Sequence, residues 1–284
     1  MGVVGIVVLF NPGDEVISIY ESYKYQFEKI IFIDNSEKKN TDVINFLESD
    51  KKNIYYSKNG NIGLAKALAY GCELALKLGF KYACLLDQDT FVENNCISEL
   101  TKYILDDRVG LVAPNIKFMI RDANNKLVIN KVLDSVNRNK YVNFAITSGS
   151  LIDLTIYKRI GGIDKELFIG QIDQDYCTNL NKNGYYLYRV GSAFIQQEAG
   201  KGKICKFLNK KIVDPQYPAN RYYYIFRNEI YLRRKWGCQY NINKVNLLKY
   251  LIIIVFCAKN KVSSLYGCVC GFIDGVKYEK NKLL

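Results

Sequence analysis

The stretch that decides the fold runs from Val3 to Ser49 and reads VVGIVVLFNPGDEVISIYESYKYQFEKIIFIDNSEKKNTDVINFLES. Short apolar runs alternate in it with longer amphipathic stretches, in the order Val3–Phe10, Asp14–Glu28, Ile30–Asp34 and Thr41–Ser49. Apolar runs of this length are typical of buried strands, and the longer stretches have the spacing of helices that cover a sheet. The pattern predicts a parallel sheet with helices on both faces.

The same alternation continues to about residue 114 and then becomes irregular. The elements predicted after the opening stretch are, in chain order, a strand at Ile54–Ser57, a helix at Leu64–Leu78, strands at Tyr82–Leu86 and Val109–Pro114, a hairpin around Asp122–Asn139, a segment at Thr147–Asp153, a helix around Asp173–Lys182, and strands at Tyr185–Arg189 and Ala193–Gln197. We expect one α/β domain over residues 1–215, with halves at 1–114 and 115–215.

The C-terminal region, residues 216–284, is predicted to be helical and is strongly basic. Its clearest helices are Tyr222–Trp236 and Lys244–Ala258. The whole chain carries a net charge of +12, and residues 201–284 hold 17 Lys and Arg against four Asp and Glu, a net +13. The positive charge of the protein therefore belongs to its C-terminal third.

Apolar and basic residues are interleaved in this region. Leu247, Leu248, Leu251, Ile252 and Val255 recur at helical spacing and are surrounded by lysines. This combination favours helices that lie in the interface of an anionic membrane, with residues 244–284 as the contact region. The alternative is a helix pair that packs on the rest of the chain with solvated lysines. Nucleic-acid binding is disfavoured because no recognition module is present.

The chain contains no histidine and nine cysteines, without a CxxC pair. The lack of histidine excludes triads and metal sites that need imidazole, so acid–base chemistry falls on carboxylates, Lys, Tyr or Cys. The odd number of scattered cysteines favours a reducing compartment. The N-terminus shows neither a basic segment nor a cleavage site, so we expect a cytoplasmic location.

Polar residues follow several of the predicted strands. In open α/β sheets, ligands bind beyond the carboxyl ends of the strands. The residues at those positions are Asn11, Asp34, Asn59–Gly63 and Asp87–Asp89. They are the first candidates for a binding site.

Each of these candidates has a chemical interpretation and a plainer one. Asp87 and Asp89 provide oxygen ligands for Mg²⁺ or Mn²⁺ and a diphosphate bound to it, or they form a solvated turn. Asp34 accepts from a nucleobase N–H, or it caps a turn. Asn61 and Gly63, with Lys66 in the following helical turn, offer N–H groups and positive charge to an anion, or they form an ordinary loop and cap.

Several motifs occur together in one order and spacing. They are Val7-Val8-Leu9-Phe10-Asn11-Pro12, Ile33-Asp34-Asn35-Ser36, Asn59-Gly60-Asn61-Ile62-Gly63-Leu64-Ala65, Leu86-Asp87-Gln88-Asp89-Thr90, Ser148-Gly149-Ser150 and Asp173-Gln174-Asp175. Over about residues 3–235 this arrangement resembles glycosyltransferase family 2, and looks most like its bacterial rhamnosyltransferase branch.

The resemblance implies a GT-A fold, a Rossmann-like mixed sheet flanked by helices, followed here by the basic helical extension. It also implies roles for individual residues. Asp34 contacts the base of the donor, Asp87 lies near the ribose and the metal, Asp89 binds the metal and Asp173 is the catalytic base. The remaining donor-binding candidates are Asn11, Asn61, Gly63, Lys66, Gln88 and Arg227, and the acceptor-side candidates are Ser148, Gly149 and Asp175.

Two positions leave these implied roles open. Family members often place a histidine metal ligand after the last strand, where this chain has Ile195-Gln196-Gln197-Glu198. Gln197 or Glu198 replaces it through oxygen, or Asp89, the diphosphate and water hold the cation. Arg221 and Arg227 either contact a phosphate or lie on a helix surface beside core tyrosines.

The implied function is inverting transfer of a sugar from a nucleotide donor. The branch suggests L-rhamnose from dTDP-L-rhamnose, with a polysaccharide or polyprenyl-linked glycan as acceptor in bacterial surface-glycan synthesis. A UDP-sugar donor, hexose or galactofuranose, is an alternative. A protein that binds nucleotide sugars without turnover is another. The resemblance further implies a peripheral location at the inner face of the cell membrane.

Overall fold

The computed structural model describes residues 2–57, 60–121, 126–198, 203–207 and 210–277. Asn59 of the predicted anion-binding loop, the residues at 122–125 of the predicted hairpin, and Lys280 and Lys282 of the basic tail lie outside these ranges. The chain divides into two compact units. The first contains residues 1–168 and 179–199, and the second contains residues 169–178 and 200–284. The predicted boundary after residue 215 stays a prediction.

The described residues form strands and helices in the predicted alternation. The strands are β1 (Val3–Leu9), β2 (Lys29–Asp34), β3 (Asn53–Ser57), β4 (Tyr82–Asp87), β5 (Phe91–Val92), β6 (Val109–Arg121), β7 (Leu127–Val132), β8 (Lys140–Val142), β9 (Leu151–Asp153), β10 (Tyr186–Glu198), β11 (Lys203–Phe207) and β12 (Lys210–Asp214). The helices are α1 (Glu15–Tyr23), α2 (Thr41–Ser49), α3 (Leu64–Lys77), α4 (Cys96–Thr101), α5 (Leu154–Arg159), α6 (Ile172–Lys182), α7 (Ala219–Trp236), α8 (Leu247–Phe256) and α9 (Lys261–Lys277).

The first unit is built on one mixed sheet, with the strand order β3-β2-β1-β4-β9-β6-β10-β5. Strands β1 to β4 pair in parallel, whereas β9 pairs antiparallel with both β4 and β6. Every residue of β1 is buried, as expected for a central strand that is covered on both faces. The parallel half brings the carboxyl ends of β1, β2, β3 and β4 to one edge. The predicted α/β fold with a mixed sheet and flanking helices is confirmed.

A local sequence signal explains where α2 begins. Asn40 caps α2, because its side chain accepts the N–H of Val43 at 3.3 Å.

The predicted hairpin appears as the antiparallel pairing of β6 with β7. The strands predicted at 185–189 and 193–197 are instead one strand, β10, with a register shift between Val190 and Phe194. That part of the prediction was wrong, because Gly191 marks a bulge and not the end of a strand.

The second unit contains α7, α8, α9, the β11–β12 hairpin and the first turns of α6. Its apolar core is small and consists of Tyr222, Ile225, Phe226, Ile254, Ala258 and Cys268. Within the described ranges, no helix combines the length and apolar character needed to cross a membrane.

Candidate active site

The first unit presents polar side chains at the carboxyl ends of β1, β2 and β4. Asp34 ends β2, Asp87 ends β4, and both strands pair in parallel with β1, one on each side. Asn11 follows β1 with a left-handed φ of 45°, and its N–H donates to Ser36 Oγ at 2.7 Å. The structure therefore gathers these predicted strand-end residues at one edge of the sheet.

The Asp34 carboxylate is fully buried and both of its oxygens accept hydrogen bonds. The Ser36 N–H donates to Oδ1 at 2.9 Å, and the Tyr55 hydroxyl donates to Oδ2. Burial, and then the hydrogen bond to Asp34, raises the pKa of Tyr55 well above its usual value, so the hydroxyl remains a donor. Asp34 therefore fixes the positions of Ser36 and Tyr55 at this edge of the sheet. Its contact with a nucleobase stays a prediction.

The loop before α3 is fixed by two asparagines. Asn35 Nδ2 donates to Asn61 Oδ1 at 3.0 Å, and Asn35 Oδ1 accepts the N–H of Ile62 at 2.8 Å. Asn61 Oδ1 also accepts the N–H of Gly63 at 3.0 Å. Two N–H groups that were predicted to face an anion thus donate within the protein. Lys66 is exposed in the first turn of α3.

Gly63 is required at the start of α3. Its φ of 90° lies in the region that favours glycine, and an added Cβ would stand 2.5 Å from the Phe168 ring. The N–H of Ala65 donates to Phe168 O at 3.0 Å. The close approach of the segment that ends at Phe168 therefore explains this glycine, independently of any ligand.

Gln88 joins the Asp87–Asp89 turn to the end of β1 by two hydrogen bonds to the backbone of Phe10. Its Oε1 accepts the N–H of Phe10 at 2.7 Å, and its Nε2 donates to Phe10 O at 3.2 Å. This two-point contact makes Gln88 a support for the Asp87–Asp89 turn. Its predicted contact with the donor stays a prediction.

Ser148 and Gly149 hold the same turn from the other side. Ser148 Oγ accepts the N–H of Asp87 at 3.3 Å and lies 2.8 Å from Thr90 Oγ1. The N–H of Gly149 donates to Leu85 O at 2.6 Å, with a φ of 76° that favours glycine. These two residues were predicted on the acceptor side, and the structure places them against the Asp87–Asp89 turn. Their acceptor-side role stays a prediction.

Asp89 lies in the field of another carboxylate. Partial desolvation, and then repulsion from Glu198, raises the pKa of Asp89 above its usual range. Glu198 is held by Arg121, whose Nε and Nη2 donate to its two oxygens at 2.8 and 3.0 Å. One of the two residues considered as a replacement for the missing histidine is therefore close enough to influence Asp89. Arg121 was not anticipated.

We predict that Glu198→Gln lowers the pKa of Asp89, because the substitution removes the repulsion and keeps the shape of the side chain. Desolvation, the larger cause, remains, so the pKa should stay above the usual range. An NMR titration of the Asp89 carboxyl carbon measures this. Glu99→Gln, the same change on α4, should leave that titration where it is. An unchanged pKa in Glu198→Gln would show that the two carboxylates do not interact.

The oxygen donors of Asp87 and Asp89 fit a hard divalent cation in chemical type. Within the described residues, no group of three or more His, Cys, Asp and Glu side chains is arranged to hold a metal ion. A cation at this turn would therefore share its coordination with oxygen atoms from a ligand or water.

The second unit contains Asp173, Asp175 and Arg227. Asp173 lies in the first turn of α6 and is partly exposed. Asp175 is 1% exposed, and its Oδ1 accepts from Lys235 Nζ at 2.8 Å and from Trp236 Nε1 at 2.7 Å. In this structure Asp175 joins α6 to α7, and its acceptor-side role stays a prediction.

Arg227 is ordered by its neighbours on α7. Its Nε donates to Asn228 Oδ1 at 2.9 Å, and its guanidinium lies 5.0 Å from the ring centroid of Tyr224. Arg221 lies 5.6 Å from the ring centroid of Tyr217. Cation–π contacts of this kind help to keep a guanidinium in place.

In each unit, residues that order the candidates were missed from the sequence. Asn35, Tyr55, Asn228 and Glu229 contact residues 16 to 59 positions away. An asparagine directly after Asp34 was visible in the motif. The partners of the others depend on the three-dimensional packing and leave no local signal.

The sequence has recognisable relatives. The family model of glycosyl transferase family 2 matches residues 6–161, more than half of the chain. The dTDP-rhamnosyl transferase RfbF of Shigella flexneri is 23% identical over 288 residues, which cover 96% of this chain and 94% of that protein.

Solved structures share the fold at low identity. GalNAc-T7, crystallised with UDP, GalNAc and Mn²⁺, superposes with a TM-score of 0.61 and 14% identity, over 84% of this chain and 49% of that chain. This chain thus spans about half the length of GalNAc-T7. S. aureus TarS 1–349 in complex with UDP-GlcNAc gives a TM-score of 0.58 and 12% identity, over 100% and 84% of the two chains. These neighbours are GT-A glycosyltransferases, and the likeness shows that fold.

Proposed function

The chain belongs to glycosyl transferase family 2, and from this premise we propose that it moves a sugar from a nucleoside diphosphate to a glycan acceptor with inversion. The observation that carries the proposal is the turn Asp87-Gln88-Asp89. It follows a buried strand, with the buried Asp34 on the other side of β1, and is supported by Phe10 and Ser148. A rigid pair of carboxylates at this edge of an α/β sheet suits the binding of a nucleotide diphosphate through a cation.

The proposed donor is dTDP-L-rhamnose. The support is the full-length similarity to a protein named a dTDP-rhamnosyl transferase. UDP-sugars are the alternative, because the related folds of GalNAc-T7 and TarS were crystallised with UDP or UDP-GlcNAc. The proposed acceptor is a lipid-linked or polysaccharide glycan of a bacterial surface.

Asp87 and Asp89 would hold Mg²⁺ or Mn²⁺. When bound, the cation neutralises charge that develops on the departing diphosphate. Asp34, Asn11, Asn61 and Gly63 are proposed to line the nucleoside site, and Lys66, Gln88 and Arg227 the diphosphate. The protein's own contribution is to keep both acids in one geometry before the donor arrives.

The proposed base is Asp173. Its carboxylate takes the proton of an acceptor hydroxyl as the hydroxyl oxygen bonds to the anomeric carbon from the face opposite the nucleotide. The bond between the anomeric carbon and the diphosphate oxygen breaks, and its electron pair leaves with the diphosphate. A single displacement of this kind inverts the configuration of the sugar.

A screen of nucleotide sugars tests the proposal. The purified chain is incubated with dTDP-L-rhamnose, UDP-glucose, UDP-GlcNAc and UDP-galactofuranose, each with Mn²⁺ or EDTA, and melting temperature and nucleotide release are recorded. We expect one donor to raise the melting temperature in a Mn²⁺-dependent way and to be consumed. Binding without consumption, with a polyprenyl-linked glycan present, would favour the non-catalytic alternative.

An exposed apolar face of α9 supports a proposed membrane contact. On one side of α9, Gly267, Gly271 and Gly275 lie against α7, where an added Cβ at Gly271 would stand 2.3 Å from Tyr223 O. On the opposite side an exposed apolar row consists of Val262, Tyr266, Val269, Ile273 and Val276. These residues are exposed in the described part of the chain, and we call the row the outer face of α9.

The charge around the outer face suits an anionic lipid surface. The exposed apolar residues Leu248, Val255 and Phe256 belong to neighbouring α8, and the exposed basic residues in this part of the chain are Lys244, Lys249, Lys259, Lys261 and Lys277. Each basic residue near such a surface adds about 1 kcal/mol. Apolar residues that enter the interface add burial. We propose that this surface attaches the protein to the inner face of the cell membrane.

We expect the triple variant Val262→Ser, Tyr266→Ser, Val269→Ser to bind liposomes with 30% phosphatidylglycerol at least about 10-fold more weakly than the wild type, because apolar area is lost from the interface. Cosedimentation measures this. Raising salt should weaken wild-type binding, and neutral vesicles should bind less.

The matched control is Tyr25→Ser, Leu105→Ser, Val136→Ser in the first unit. These residues are 81%, 58% and 59% exposed, compared with 83%, 72% and 56% for the outer-face trio. The control should bind as the wild type does. Equal loss in both triple variants, or equal binding to neutral and anionic vesicles, would remove the outer face as the lipid contact.

A further inference from the structure

The segment that carries Asp173 is tied to α7 on both sides of that residue. Asp173 itself is partly exposed, whereas Gln171 and Asp175, two positions before and after it, are 6% and 1% exposed. All the contacts that follow lie within the second unit.

The first tie precedes α6. The amide nitrogen Nδ2 of Asn228 donates to Ile169 O at 3.1 Å and to Gly170 O at 3.0 Å. Asn228 is fully buried, and its Oδ1 accepts from Arg227 Nε. A buried amide that caps two successive carbonyls fixes the path of the chain just before the helix.

The second tie is the side chain of Gln171. Its Nε2 donates to Ile225 O and to Glu229 Oε2, both at 3.3 Å. Glu229 is fully buried. Its carboxylate is held by three other donors: Arg233 Nε at 2.7 Å, Tyr240 Oη at 2.8 Å and the N–H of Val245 at 3.1 Å.

The conformation of Gln171 is unfavourable in two respects, its backbone and its buried Oε1 atom. Its φ of 57° lies in the left-handed region that side chains with a Cβ rarely adopt. Its Oε1 is buried and has no hydrogen-bond partner among the described residues. A glycine would adopt this backbone more easily, and what the glutamine adds is its pair of side-chain hydrogen bonds to α7.

The third tie follows Asp173. Asp175 Oδ1 accepts from Trp236 Nε1 and Lys235 Nζ at the last turn of α7. These charge-assisted bonds are short and, because Asp175 is buried, poorly screened. The first turn of α6 is thus joined to both the middle and the end of α7.

We propose that α7 is a positioning frame for the base, in which Glu229 acts through Gln171 and Trp236 acts through Asp175 to aim the Asp173 carboxylate. The proposal rests on the proposed function of Asp173. Strained backbone next to a reacting group is a common way to keep that group in one orientation. A displacement of about 1 Å can cost about 10²-fold in rate, so the frame has a measurable effect.

The test compares two glutamine-to-glycine variants. Gln171→Gly removes the tie to Glu229 and relieves the left-handed φ, and Glu229 keeps its three other donors. Gln216→Gly is the matched control, because Gln216 has a φ of 55° in the same unit, is exposed, and donates by its own N–H to Asp214 Oδ1. That bond does not use the Gln216 side chain.

We expect Gln171→Gly to lower the rate of nucleotide release about 10-fold or more, with the donor that the wild type consumes fastest in the screen above. Its melting temperature should change by only a few degrees, because relief of the left-handed φ offsets part of the loss of two buried hydrogen bonds, and the KM for the donor should be unchanged. Hydrogen exchange of peptides within 169–178 should be faster. Gln216→Gly should match the wild type in all four measurements.

Trp236→Phe is a second variant, which keeps a ring and removes the indole donor to Asp175. It should also speed exchange within 169–178 and slow nucleotide release. Wild-type exchange and release in both Gln171→Gly and Trp236→Phe would overturn the frame, as would slower release that is explained by unfolding at the assay temperature. Asp173→Asn, measured alongside, separates the two claims, because full activity in that variant overturns the base and not the ties seen by exchange.

Discussion

Asp173→Asn should lower turnover by about 10²-fold or more and leave the affinity for the nucleoside diphosphate near the wild-type value. Asparagine keeps the size and polarity of the side chain but cannot take a proton from the acceptor hydroxyl. The loss therefore falls on the chemical step, and a variant of this kind shows lower kcat with little change in donor KM. Initial rates with saturating donor and acceptor, together with calorimetric titration of dTDP, give the two quantities.

Asp107→Asn is the control for the charge change. Asp107 is exposed in the first unit, and nothing in the structure connects it to the site. It should retain wild-type turnover. If Asp173→Asn also does, with an acceptor that the wild type uses, the base lies elsewhere in the chain.

Asp89→Ala should weaken Mn²⁺-dependent binding of dTDP by about 10-fold or more. The substitution removes one of two carboxylates that would bind the cation, and even the loss of an outer-shell partner of a metal typically costs about 10- to 100-fold in affinity. Titration of dTDP into wild type and variant, with Mn²⁺ and with EDTA, measures the effect.

The EDTA titrations are the internal control for this experiment. In EDTA the two proteins should bind dTDP with the same, weaker affinity, because the lost interaction passes through the cation. Equal affinity of wild type and Asp89→Ala in Mn²⁺ would contradict a metal role for the Asp87–Asp89 turn.

The first half of the fold was predictable because its signals are local. Thr41–Ser49 was predicted from its amphipathic pattern with the bounds that α2 has, and the structure adds that Asn40 caps its start. Strands such as β1 are continuous apolar runs, because both of their faces are buried. Such patterns depend on residues close in sequence, and the glycines and caps between them mark the ends.

The second half was less predictable because its elements depend on distant contacts. Helix α9 contains three glycines and several β-branched residues, which have low helix propensity. Its glycines allow close contact with α7, and that packing compensates for the propensity. Gly191 lies between two segments that were predicted as separate strands, and an added Cβ there would overlap Asn137 O. Neither contact leaves a local pattern.

In the candidate site, too, local features were predictable and distant contacts were not. The positions of Asp34 and Asp87 at strand ends followed from the sheet pattern, and the structure confirms that placement. The partners of Gln88 and Ser148 did not follow, because a side chain's hydrogen bonds to a distant strand depend on the packing of the sheet. The roles assigned to these residues in catalysis and binding stay predictions.

The most direct test of the central claim is an NMR time course of the purified chain with dTDP-L-rhamnose and the UDP-sugars of the screen, Mn²⁺ and a polyprenyl-linked glycan acceptor. The anomeric signals of donor and product are followed together. We predict that one donor is consumed, that its nucleoside diphosphate appears at the same rate, and that the transferred sugar has the opposite anomeric configuration. A product with retained configuration would contradict the single displacement, and intact donors throughout would contradict the transferase itself.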